Sequence, residues 1–396
     1  MEKMIVFLLV VVTRIKAKVV QSDISIDDLC PVLSSDQSSH TIYINCSNLN
    51  ITSLDNISTE INTTTTTTTT MTTDNSTNTA TNTETTITDK IDTTTTTTTT
   101  SSSQTVVGLD LSRNQLRSLD GGLLPSLLAS LTWLDLSENQ LSSPGLSEAS
   151  LQPRGGERSS LLILNVSHNK ISHLPPTLFA SLDLLESLDL SFNPLTDLDG
   201  ASSSAIGAVG SLQFLAVRGC GLRALQEEMM AGLRQLRTLD LSSNHFTRID
   251  PSIRAAPALT SLIVDNNDID VLDGASFEGL DQLHNLSVSF NRNLTTVEAD
   301  SFSRLVALED LRLSDNPALY WIHPAAWAKE DNQTDTEFSL KVFSLNNNSL
   351  TYLPSMLLPT FRDWSQIEVS PASELSDQAM PALCLVPGST EQPLAV

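Results

Sequence analysis

An asparagine recurs along this chain about every 24 residues inside the frame L-x-x-L-x-L-x-x-N-x-L, and no other feature restricts the fold so tightly. The frame is clearest at Leu131, Leu134, Leu136, Asn139 and Leu141, and again at Leu236, Leu239, Leu241, Asn244 and Phe246. The same register places Asn114, Asn169, Asn193, Asn267, Asn291, Asn316 and Asn348, with Cys220 in the asparagine slot between Asn193 and Asn244.

The chemistry of the frame says what each position does. In Leu134-Asp135-Leu136 apolar residues alternate with a polar one, the period of a short strand with one buried face. The coil turns inward at the asparagine, whose amide has both donors and an acceptor to satisfy backbone groups that would otherwise be buried unpaired. Losing one such amide should cost roughly 1 to 3 kcal/mol. Cysteine is tolerated there, which reads Cys220 as a buried small hydrophobe and not a reactive thiol. About a dozen residues remain for the return path, too few for a helix of typical length plus its turns. The expectation is an α/β solenoid with a parallel concave β-sheet and short irregular or 3-10 convex segments. Phe179, Phe277 and Phe302 stand just before the next repeat, and Leu124, Met230, Ile253, Trp327 and Leu357 fill the same core position elsewhere. Three gaps exceed the period: Ser142 to Ser160, which reads as an exposed loop, Gly200 to Gly210, and Ala328 to Glu337.

The motif L-x-x-L-x-L-S-x-N-x-L followed by L-P-x-x-x-F-x-x-L resembles the extracellular leucine-rich repeats of animal proteins such as Toll-type ectodomains, chaoptin and connectin. It covers residues 105–372, about two thirds of the chain, as ten full repeats plus one partial. The resemblance implies a horseshoe-shaped binding module without catalytic chemistry. It also implies an N-terminal cap over residues 23–60, where Cys46-Ser47-Asn48-Leu49 is similar to the end of such a cap. The family cap usually carries four cysteines; here Cys30 and Cys46 stand alone, and a disulfide between them would contribute on the order of 3 kcal/mol in the chain-entropy model. A multi-cysteine cap is also usual after the last repeat. Trp364, Ile367 and Val369 fit one more strand, with Ala372 at the asparagine position, but the tail 373–396 holds only Cys384. Three readings stand: the tail folds over the last coil, a second copy covers it as a homodimer through Cys384, or the sequence is an alternative or truncated product.

Residues 1–22 read as a signal peptide: Lys3 precedes an apolar run from Met4 to Val12 that is too short to span a bilayer. No later segment is apolar enough to cross a membrane, so the expected localisation is secreted and extracellular. Residues 61–104 form a threonine-rich insert with almost no large apolar side chains, expected to be disordered and rich in O-glycan acceptors. N-glycan acceptors in N-x-S/T occur at Asn45, Asn50, Asn56, Asn62, Asn75, Asn165, Asn285, Asn293, Asn332 and Asn347. Asn165 and Asn285 fall on strand residues of the concave side, where glycans would block part of it.

With a formal charge of -24, nucleic acid, heparin-like polymers and bare anionic membranes are disfavoured as partners. No metalloprotease, nucleophile-elbow, P-loop or dinucleotide motif is present, so neither an enzyme, a cofactor nor a metal is expected. The expected partner is an extracellular protein ligand, in adhesion or receptor-like binding; innate immune recognition of microbial surface molecules and a structural matrix role are the alternatives. On the concave face Trp133 and Phe214 occupy one lane, Phe192 and Phe290 another. His168, Arg218, Arg237, His284 and Arg312 lie near them. Asp110, Asp135, Asp189 and Asp240 form an acidic row, for which a structural role is the stronger reading.

Overall fold

The computed structural model describes residues 41–54, 105–120, 123–327 and 340–351, together with the strand segments 24–25, 32–36 and 57–58. The expected signal peptide, threonine insert and C-terminal tail lie outside the described residues, as do Cys30, Leu357, Cys384 and the gap from Ala328 to Glu337. Ile24–Ser25 (β1) and Ile57–Ser58 (β4) form a small parallel pair. Val32–Asp36 (β2) and Thr41–Asn45 (β3) form an antiparallel pair that opens the main sheet.

Each repeat then adds one short parallel strand: Thr105–Asp110 (β5), Trp133–Asp135 (β6), Ile163–Asn165 (β7), Ser187–Asp189 (β8), Phe214–Ala216 (β9), Thr238–Asp240 (β10) and Ser261–Ile263 (β11). Val271–Leu272 (β12), Thr296–Val297 (β14) and Trp321–Ile322 (β16) make a separate three-stranded parallel sheet on the convex side. They alternate with Asn285–Ser287 (β13), Asp310–Arg312 (β15) and Val342–Ser344 (β17), which complete a twelve-stranded main sheet ordered β17-β15-β13-β11-β10-β9-β8-β7-β6-β5-β3-β2. The central residue of each three-residue strand is buried. Leu134, Leu164, Leu188, Leu215, Leu239, Leu262 and Leu311 are all fully enclosed, and burying one such side chain is worth about 1.5 to 3 kcal/mol.

The asparagines form the expected ladder. Asn139 donates Nδ2–H to the carbonyls of Leu111 and Leu136 at 2.9 and 3.1 Å, while its Oδ1 accepts the N–H of Leu116 from the preceding coil at 3.0 Å. Asn169 repeats the pattern toward Leu141, and Asn193 toward Ile171. At Cys220 the acceptor is missing. The N–H of Leu195, which would have reached it, bonds instead to its own Asn193 carbonyl at 2.8 Å. Cys220 donates Sγ–H to the Leu190 carbonyl at 3.5 Å, and burial pushes its thiol up to about 11. In the later coils the donor moves back by two residues, so the backbone N–H of one ladder asparagine meets the side chain of the next: the N–H of Asn291 donates to Asn316 Oδ1 at 2.7 Å.

The convex side departs from the expectation in two ways. Single 3-10 turns do occur, as at Pro251–Ala255, but the described residues also include three short α-helices: Leu123–Leu127 (α1), Gly200–Gly207 (α2) and Glu227–Gly232 (α3). The gap Gly200 to Gly210 supplies enough extra chain for α2, and Asp199 caps it by accepting the Ser202 N–H at 2.7 Å. The segment Ser142 to Ser160 is not simply an exposed loop. It folds into three 3-10 turns, in which Leu146 and Leu151 join the core and Ser147 and Ser150 form a capping box on the second turn. Farther along, Phe277, Phe302 and Trp327 stack in series, with centroid distances of 5.8 and 4.8 Å, and Phe343 meets Trp327 edge-on.

Candidate interaction surface on the concave face

Because strand side chains alternate, the residues flanking each buried leucine leave the opposite face in two lanes. The pairing register aligns Tyr43, Gly108, Trp133, Ile163, Ser187 and Phe214 in the first. The Tyr43 ring lies across Gly108: a Cβ there would sit 2.2 Å from Tyr43 Cδ1 and 3.3 Å from Trp133 Cε3, so the absence of a side chain lets the tyrosine lean toward the tryptophan. Tyr43, Trp133 and Ile163 thus form one apolar patch. Phe214 shares the lane but stands three strands beyond Trp133, roughly 14 Å at ordinary strand spacing.

The second lane holds the acidic row, and its carboxylates serve the backbone. Asp110, Asp135, Asp189 and Asp240 each accept, through Oδ1, the N–H two residues on, at 2.8 to 2.9 Å. Asn165 does the same for Ser167 and donates Nδ2–H to Asp135 at 3.4 Å. Burial holds the Asp135 carboxyl above the usual aspartate range, against the lowering effect of its bonds from Ser137.

A third lane lies at the edge of the sheet. The residue before each ladder asparagine has a left-handed backbone: His168 at φ 54°, Phe192 at 56°, Asn266 at 53°, Phe290 at 59°. For a bulky aromatic this costs on the order of 1 to 3 kcal/mol and persists only where the surrounding structure imposes it. His168 and Phe192 stack, with centroids 4.2 Å apart and planes 17° off parallel, and Arg218 Cζ lies 5.7 Å from the Phe192 centroid. Gly219 completes the seat, since a Cβ there would meet the Phe192 ring at 2.6 Å. Arg218 stands where Ser137, Ser167, Ser191 and Ser242 stand in other repeats. Three of the expected residues are therefore brought into contact: His168, Phe192 and Arg218.

The others are not part of that group. Ser261, Asp265, Asn285, Ser287, Asp310 and Arg312 line a shallow depression of about 260 Å³ farther along the sheet. Arg312 pairs with its own strand, Nε to Asp310 Oδ1 at 3.1 Å and Nη2 to Oδ2 at 2.9 Å. Asp265 accepts from Ser287 Oγ and Ser289 N, both at 2.7 Å, and burial raises its carboxyl above the usual range. Phe290 is exposed at the edge. Arg237 is exposed, and His284 Nδ1 donates to the Gln282 carbonyl at 2.7 Å.

Tyr43 and Ile163 are patch residues that the repeat frame did not single out. The signal for Tyr43 was the alternation Thr-Ile-Tyr-Ile-Asn before Cys46, but the long threonine insert hides its pairing with Gly108. Among the glycan acceptors Asn50, Asn285, Asn293 and Asn347 are exposed, and Asn45 and Asn165 are half-buried. Asn56, Asn62, Asn75 and Asn332 lie outside the described residues. Cys46 is disulfide-bonded; its expected partner Cys30 lies outside them too. Among the described residues no cluster of His, Cys, Asp and Glu could hold a metal ion, and no helix is long and apolar enough to cross a membrane.

Leucine rich repeat family models match residues 155–202, 257–317 and 235–255. Tsukushi of Gallus gallus is 30% identical over 254 residues, spanning 58% of this chain and 67% of its own length. Chaoptin of Drosophila melanogaster is 29% identical over 228 residues, 52% of this chain and 17% of its own. Podocan-like protein 1 of Homo sapiens is 30% identical over 189 residues, 48% and 35% respectively. Among solved structures, the Toll–Spatzle complex aligns at 19% identity over 66% of this chain and 39% of that chain, with a TM-score of 0.46.

Proposed function

Since this chain belongs to the leucine-rich repeat family of animal extracellular proteins, we propose that it is a secreted recognition module that binds another extracellular protein through the N-terminal part of its concave face. The observation that carries the reading is the cluster of Phe192 between His168 and Arg218, close to the Tyr43–Trp133–Ile163 patch. Aromatic and arginine side chains held rigidly on a sheet lose little freedom on binding, which is why such residues dominate interface energies. Phe214 extends the first lane on β9, the strand of the repeat that carries Arg218. Arg312 contributes less in this reading, because its guanidinium is already paired with Asp310.

The test uses the secreted full-length chain as bait for extracellular proteins, with Phe192→Ser plus Arg218→Glu in one variant and Trp133→Ser plus Phe214→Ser in another. Each should weaken capture of the partner at least about tenfold, the loss of one modest hot spot, with far-UV circular dichroism unchanged. Undiminished capture by both folded variants rejects the concave site.

A further inference from the structure

Along the left-handed edge lane most side chains find a neighbour. Arg113 Nε donates to Glu138 at 2.9 Å, His168 stacks on Phe192, Asn266 Nδ2 donates to Ser243 Oγ at 3.1 Å, and Asn347 Nδ2 donates to Asp315 at 2.8 Å. Phe290 is the exception: it is 52% exposed and has no aromatic or cationic partner among the described residues. A strained, exposed phenylalanine calls for a cover.

The following turn supplies one. In Asn139-Gln140-Leu141 a single residue separates the ladder asparagine from the next buried leucine, whereas Asn291 and Leu294 are separated by two, Arg292 and Asn293. The Asn291 carbonyl accepts the Leu294 N–H at 3.2 Å, closing a β-turn with Arg292 and Asn293 exposed at its corners. Asn293-Leu294-Thr295 is an N-glycan acceptor, and the exposed Phe290 stands three residues before it.

We propose that Phe290 is the platform for an N-linked glycan on Asn293, the first N-acetylglucosamine packing its C–H face on the ring. The pyranose C–H groups carry partial positive charge, the face of the phenyl ring is negative, and both surfaces leave water on contact. The bond forms between Asn293 Nδ2 and C1 of the sugar as the C1–O bond to a lipid-diphosphate oligosaccharide donor breaks. The diphosphate leaves with the electron pair, and the amide proton passes to a base of the transferase. Asn285 offers the contrast: it lies in the depression among Ser261, Asp310 and Arg312, with no ring in that lining. The inference rests on the secretion reading, since only an exported chain meets the donor.

The test is glycopeptide mass spectrometry and thermal unfolding of the full chain secreted from animal cells, comparing wild type, Phe290→Ala, Phe290→Tyr, Asn293→Gln and the Ala/Gln double variant. Asn293 should be occupied. Phe290→Ala should lower Tm by about 2 to 4 °C in the glycosylated protein, Phe290→Tyr should not, and Phe290→Ala should have no such effect on the Asn293→Gln background. An equal shift on both backgrounds overturns the proposal, as does an unoccupied Asn293 when Asn50 or Asn347 is occupied. If no acceptor is occupied, the secretion reading fails as well.

Discussion

Phe192 and Phe290 occupy the same place in their repeats, just before a ladder asparagine, and both hold a left-handed backbone. Their surroundings differ. Phe192 is seated on Gly219, stacked on His168 and approached by Arg218; Phe290 has none of these. The support beneath them differs too, because Asn193 holds the N–H of Ile171, two residues beyond its ladder amide, whereas Asn291 holds the N–H of Asn267, itself a ladder residue. In a solenoid, position within the repeat sets where a side chain leaves the backbone, and the adjacent coils set what it can do there.

That contrast can be broken by experiment. The largest effects should come from the ladder: Asn193→Ala and Asn291→Ala should each cost about 1 to 3 kcal/mol in urea unfolding followed by circular dichroism. Asn193 should cost more, since its carbonyl partners Val166 and Leu190 lie at 2.9 Å, whereas Asn291 reaches Val264 only at 3.4 Å. Next, Phe192→Asn should lose about 1 kcal/mol of stacking and cation–π contact. Phe290→Asn, in protein made without glycans, should instead gain a few tenths of a kcal/mol, because asparagine accepts the left-handed backbone more readily. The same sign at both positions would mean that the neighbours of Phe192 do not matter.

The smallest effect concerns the acid near the second phenylalanine. Burial raises the Asp265 carboxyl above its unfolded value of about 3.9, so the fold penalises its charged form. The penalty is absent below that value and complete above the raised one; on this account stability falls as pH rises through the interval. The stability of Asp265→Asn relative to wild type should therefore increase as pH climbs above about 4, in matched denaturant titrations. A difference that stays flat with pH refutes the assignment.

Much of this was legible in the sequence because each repeat poses the same chemical demand. Leu164, Leu188 and Leu239 must fill the core, and an amide must close the turn, so identity and period survive wherever the demand does. Cys220 could be placed by counting alone, but the switch of the Leu195 N–H to its own turn could not. The contact of His168, Phe192 and Arg218 depends on which residues of unequal coils come to lie side by side, a property of stacking and not of period. The α2 helix was illegible for a similar reason: Gly200-Ala201-Ser202-Ser203-Ser204 has no amphipathic rhythm, and its stability comes from the Asp199 cap and the coils it rests on.

The missing acceptor at Cys220 has a mechanical meaning. Elsewhere a side-chain amide stitches each coil to the one before it, while here a weak thiol bond takes its place beside backbone pairing, the hydroxyl bonds of Ser191 and Ser211, and the contact of Phe192 with Arg218. Neighbour-to-neighbour coupling carries cooperativity in a stacked array, so an amide restored by Cys220→Asn should tighten this joint, read as a steeper denaturant transition.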